Sequence, residues 1–199
     1  MQLPYHLIIE RYNMLEAETQ AEIATMVRSG FYSRERLIEI FTAEMYAPND
    51  PDPNDVAVSI DANFAKYEKE KREYPATTDC DRLDTAFTRI NERGVIAIQN
   101  AGYTQSDGYD DVGTVYSEHP DKERILGYCF YHGQDLERAI NGGGLYFAFG
   151  PVDPAEEQTI GVEVGTIIRE ELERAGLAVD WDGTFEKRLS IPKLNWQKR

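Results

Sequence analysis

Residues 125–150 read ILGYCFYHGQDLERAINGGGLYFAFG, and this run decides the fold class. Ile125 to His132 is a short apolar stretch that alternates as a strand does. Tyr128, Phe130 and His132 fall on one face, with Gly127, Cys129 and Tyr131 on the other. Gln134 to Ile140 reads as a short helix, Gly142-Gly143-Gly144 stops it, and Leu145 to Phe149 is a further strand closed by Gly150-Pro151. Strand, helix and strand in so short a run exclude an all-helical chain. The three glycines do not suit a phosphate loop, because they follow a helix and precede a strand, and GxxxxGK[ST] is absent.

Upstream, Leu83, Phe87 and Ile90 share one face of a helix that Asp79 or Asp81 should cap and Gly94 should end, leading into the buried strand Val95 to Gln99. Downstream, Ile160, Val164, Ile167, Ile168 and Leu172 form the stripe of what should be the longest helix, stopped at Gly176. Gly161 and Gly165 within it suggest close helix packing. LAVDW around Val179 and RLSIP around Ser190, joined by an Asp182-Gly183 hairpin turn, should complete the sheet.

The first third is helical. Ile23, Met26 and Val27 recur up to Ser29-Gly30, and Ser33 caps a helix bearing Leu37, Ile38, Phe41 and Met45 on one face. A turn-rich connection from Pro48 to Asp55 follows, then a helix on which Val56, Ile60, Phe64 and Tyr67 align. The expectation is an α+β or α/β fold: a small sheet of about five strands flanked by helices, with an N-terminal helical region. Residues 1–77 would form that region and pack on an α/β domain of residues 78–199.

The chain has 199 residues and a formal net charge of −15, which disfavours nucleic acid and favours a basic partner. The first apolar run breaks at Glu10 and Arg11, so neither a signal peptide nor a membrane span is read there. Two cysteines, Cys80 and Cys129, allow at most one disulfide and point to the cytoplasm. No zinc spacing, nucleophile elbow or cofactor fingerprint is present, so no cofactor is expected.

Two polar segments carry the candidate site. The first, QNAGYTQSDGYDDVG from Gln99 to Gly113, follows a strand, where α/β sheets line ligand crevices. It supplies Gln99, Asn100, Tyr103 and Asp107. The second, Tyr131 to Ala139, supplies His132, Gln134, Asp135 and Glu137 at the start of a helix. Asp107, Asp110 and Asp111 could bind a hard cation. The preferred reading is that Ser106-Asp107-Gly108 is a turn, with Asp110 and Asp111 in a helix's first turn. Tyr103, Tyr109, Tyr116, Tyr128 and Tyr131 crowd the same region, either as a binding surface or as packing.

The runs TDCDRLDTAFTRINERGVIAIQNAG, GYCFYHGQDLERAINGGGLYFAFG, GLAVDWDG and IPKLNW resemble an uncharacterised bacterial family, a domain of unknown function. Its members follow TDxDRLDxAFxxL, GYxxFHxQDxExAxxGGGLYLxFG and LxVxWDG in that order. The resemblance spans about Thr78 to Trp196. Relatives carry several cysteines after the first strand, which implies a metal or redox role there; this chain has none in that segment. His132, Gln134, Asp135 and Glu137 match the pattern without an assigned role.

Two readings follow. In the first, the chain is an acidic binding or regulatory module for a protein partner or small ligand. In the second, it is a metal-assisted hydrolase using Asp107, Asp110 or Asp111 with His132 and Asp135.

Overall fold

The computed structural model describes residues 15–47 and 50–199. The run ending at Arg11 and the head of the connection at Pro48 lie outside them. The chain divides into two compact units, Met1–Pro75 with Lys198–Arg199, and Ala76–Gln197. Among the described residues no helix is long and apolar enough to cross a membrane.

The described residues of the first unit build helices. α1 spans Ala17–Ser29 and ends at Gly30, whose φ of 76° supplies the left-handed cap. α2, Arg34–Glu39, starts where the Ser33 hydroxyl accepts the Arg36 N–H at 3.1 Å, and it runs on into a π-helical turn, Ile40–Glu44. That turn rotates the apolar stripe, because a π turn takes more residues than an α turn. Leu37 and Phe41 are therefore buried, whereas Met45, expected on the same face, is 49% exposed. α3, Pro53–Lys71, has 19 residues and is longer than the helix after Ile160 that was expected to be longest. Ile23, Val27, Leu37, Phe41, Val56, Ile60 and Tyr67 make one core.

The second unit begins with α4, Asp79–Glu92. Its cap is Thr78 rather than Asp79 or Asp81. The Thr78 hydroxyl accepts the Asp81 N–H and the Asp81 carboxylate accepts the Thr78 N–H, at 3.1 and 2.7 Å, so two N–H groups of the helix start are satisfied at once. Then follow β1 (Val95–Ile98), α5 (Gln105–Glu118), β2 (Gly127–Phe130), α6 (Gly133–Ile140), β3 (Leu145–Tyr146), β4 (Ala148–Pro151), α7 (Val162–Arg174) and β5 (Ser190–Ile191).

The five strands form two sheets. β1 runs parallel to β2 and β2 antiparallel to β4, while β3 pairs antiparallel with β5. The single strand expected from Leu145 to Phe149 is split at Phe147, whose N–H turns to the Leu189 carbonyl at 3.0 Å. The expected hairpin around Asp182-Gly183 shrinks to one bridge between Asp180 and Ser190, because the Asp182 carboxylate instead accepts the Thr184 N–H and hydroxyl and closes a loop.

α4 and α7 cover one face of the three-stranded sheet. A Cβ on Gly127 would stand 2.8 Å from Val164 of α7. On the other face Phe130 and Ala148 pack with Val112 of α5, beside Ile98 and Tyr128. Gly165 of α7 does allow close approach, but of an aromatic side chain rather than another helix. A Cβ there would meet Trp181 at 2.6 Å.

Candidate functional site

The polar segments after β1 and β2 meet. Parallel strands carry their following loops to the same edge of the sheet, and here the loops are hydrogen-bonded. Ala101 N–H donates to Tyr131 O at 2.9 Å, Gly133 N–H to Gly102 O at 3.0 Å and Gln134 N–H to Tyr103 O at 3.2 Å. Gly133 is needed at this crossing, since a Cβ would lie 2.7 Å from the Tyr103 ring. The loop turns through Asn100, with φ of 52°, a conformation that asparagine tolerates better than most residues.

Most polar atoms in this cluster serve one another. Gln99 donates from Nε2 to Asp84 at 2.8 Å and accepts the Tyr131 hydroxyl at 2.9 Å. Asp107 occupies the third position of α5, where the Thr104 hydroxyl caps the helix. The Asp107 carboxylate accepts the N–H groups of Thr104 and Tyr103 at 2.8 and 3.2 Å. Those bonds hold its pKa below the ordinary carboxylate value. Ser106-Asp107-Gly108 is therefore inside a helix and not a turn. Tyr103 is exposed, as is Gln134. The two leading N–H groups of α6 face carbonyls of the loop and offer nothing to an anion.

His132, Asp135 and Arg188 form a buried polar chain. His132 Nε2 lies 3.0 Å from Asp135 Oδ2, and Arg188 grips the same carboxylate with both terminal nitrogens, at 2.5 and 3.3 Å. The side chains of His132 and Asp135 are 7% and 2% exposed. Arg188 remains 37% exposed, and its Nε donates to Phe147 O at 3.2 Å. Burial lowers the His132 pKa, and Arg188 and Arg138 reinforce that. Asp135 and the Tyr103 carbonyl oppose it without winning. The imidazole is thus neutral at pH 7, and its Nε2, which faces the Asp135 carboxyl group, is assigned the proton. Nδ1 is buried and closes no hydrogen bond. Sequence reasoning found His132 and Asp135 but not Arg188, which is 53 residues beyond Asp135 and follows no recognisable motif.

The metal-hydrolase reading loses its ligand set. Asp107 faces main-chain N–H groups, and Asp110 and Asp111 are exposed further along α5. Adjacent helical residues point in different directions, so three nearby aspartates need not converge. Among the described residues no group of three or more His, Cys, Asp and Glu is placed to hold a metal ion. Cysteine chemistry has no better footing, because Cys80 and Cys129 are both buried and burial pushes the Cys129 thiol pKa up.

Alongside this cluster, α5 leaves part of the sheet face uncovered. A cleft of about 230 Å³ lies between them, lined by Ile96, Tyr109, Val112, Gly113, Tyr116, Gly127, Tyr128, Pro151 and Val152. Tyr109 meets Tyr128 and Phe130 edge-on, with ring centroids 5.7 and 5.2 Å apart. Of the five crowded tyrosines, Tyr109, Tyr116 and Tyr128 line this cleft, while Tyr131 is fully buried against Phe87, Phe147 and Trp196. Burial, with Tyr109 and the charge of Glu157 nearby, raises the Tyr128 pKa, so its hydroxyl stays protonated at neutral pH. Gly113 stands in the middle of α5, and a Cβ built on it meets nothing within 4 Å. The tyrosine crowding pointed to this surface, whereas Gly113 gave no signal until the helix was placed on the sheet.

No curated protein and no solved structure matches the chain. A family model described as a domain of unknown function (DUF6891) matches residues 12–199. That span takes in both units, and the chain belongs to this family.

Proposed function

We propose that the protein is a binding module and that the tyrosine-lined cleft beside α5 holds its ligand. The group that enters is uncharged and apolar, about the size of one aromatic side chain. The carrying observation is Gly113. Glycine within a helix costs about 1 kcal/mol relative to alanine, and here no neighbour would clash with a side chain. A larger residue would cover the adjoining Tyr109 and Tyr116; the glycine leaves the space open. The volume of about 230 Å³ exceeds the roughly 150 Å³ that accommodates benzene and falls short of the ~300 Å³ at which drug-sized sites begin.

The segments that carry Gln99, Asn100, Tyr103, Asp107, His132, Gln134, Asp135 and Glu137 have a positioning role in this reading. Their main-chain hydrogen bonds tie the start of α5 to the start of α6. Two buried cysteines that form no disulfide support a reducing, cytoplasmic setting.

The test is titration with indole, followed by NMR of the tyrosine and valine signals. Saturable shifts at Tyr116, Tyr128 and Val152 are expected, and Gly113→Leu should remove them while the folded spectrum persists. Shifts absent from these residues, or unaffected by Gly113→Leu, would refute the assignment.

A further inference from the structure

We infer that the group filling the cleft is an apolar side chain carried by a lysine- and arginine-rich segment of a partner protein. This rests on the cleft being the binding site and adds what surrounds it. The lining contains no ionised side chain, so charge is met at the rim rather than the floor. The rim is acidic. Asp110 flanks the cleft-lining face of α5, and Asp153, Glu156 and Glu157 follow Val152 in the chain, all four exposed. Asp107, Asp111 and Glu118 fall on the other side of α5. Glu157 is close enough to act on Tyr128.

Apolar surface is exposed at the same place: Tyr109 and Val152, both lining the cleft, are 43% and 39% exposed. An apolar pocket ringed by one sign of charge suits an anchor side chain flanked by the opposite sign, with the anchor supplying affinity and the charges steering the encounter. A ring face here already holds a cation, since Lys122 Nζ lies 5.7 Å from the centroid of Tyr116. A single side chain fits the volume, and a protein segment supplies the remaining contacts outside it.

The probes are three labelled synthetic peptides: a phenylalanine flanked by lysines, the same with glutamates, and the lysine peptide with alanine for phenylalanine. Fluorescence anisotropy should show the lysine–phenylalanine peptide binding at least about tenfold more tightly than either other peptide, and weakening as salt rises past about 0.1 M. Asp110→Asn, Glu156→Gln and Glu157→Gln together should reduce the lysine preference while leaving indole binding intact. Gly113→Leu should abolish both, and Val152→Asp provides a second blocking variant at an exposed position. Equal binding of lysine and glutamate peptides overturns the inference, and so does binding that survives loss of phenylalanine. If indole still binds the cleft in either case, only the identity of the partner is wrong. Failure of indole and peptides together removes the binding site itself.

Discussion

Removing Arg188 should cost more than removing the charge of Asp135, although the two share one interaction. Asp135 is 2% exposed and Arg188 is 37% exposed. In Arg188→Met the carboxylate stays buried, with only the neutral His132 donating to it. Loss of one partner of a buried pair costs about 3–5 kcal/mol. In Asp135→Asn the guanidinium can reach water, and the amide oxygen can still accept from His132, so the expected cost is about 1–2 kcal/mol.

The two variants also differ in pH dependence. In the native protein the His132 pKa lies below its ordinary value of about 6.5, so the folded state binds fewer protons than the unfolded state as the pH falls. The contribution is complete above about pH 6.5 and is lost as the pH drops through the window below it. Arg188→Met removes a cation that lowers the His132 pKa and frees Asp135 to raise it. If the folded pKa then exceeds the unfolded value, the contribution reverses sign, and stability recovers on acidification from pH 8 to pH 6. Both tryptophans, Trp181 and Trp196, belong to the unit containing Arg188, so urea unfolding followed by tryptophan fluorescence reports that unit. Equal losses for the two variants, or an unchanged pH slope in Arg188→Met, would refute this account.

Three further outcomes follow from local geometry. Gly113→Ala should stabilise α5 by about 0.5–1 kcal/mol, read as a higher thermal midpoint, because the Cβ meets open space. Thr104→Ala should cost about 1 kcal/mol in urea unfolding by breaking the reciprocal cap with Asp107, and Thr104→Ser should restore most of it. Gly165→Ala should destabilise by about 1–3 kcal/mol and shift tryptophan emission, because the new methyl would displace Trp181 from 2.6 Å.

The elements legible in the sequence are those whose signals lie within a few residues. Ser33 and Gly30 bound their helices, Leu83, Phe87 and Ile90 face the core, and the alternation of Tyr128 and Cys129 about the sheet holds. Errors arose where the deciding partner is distant or competes. Thr78 outranked the aspartates as a cap because its hydroxyl and the Asp81 carboxylate work as a pair. The strand at Leu145 divided because its two halves hydrogen-bond to different strands, β5 and β2. The candidate cluster was legible as two polar strand ends, but the bonds between them and the arrival of Arg188 were not.

By itself, the sequence determined a helical region followed by a mixed α/β region, a family, an acidic surface and the two polar segments at strand ends. Periodicity, caps, turns and charge are local or additive, and each can be read along the chain. Only the tertiary structure decided that those segments bond to each other, that Asp107 caps a helix instead of facing a metal, and that Gly113 leaves a cleft beside three tyrosines. Each depends on which distant atoms arrive within a few ångströms, and that is set by how the elements pack.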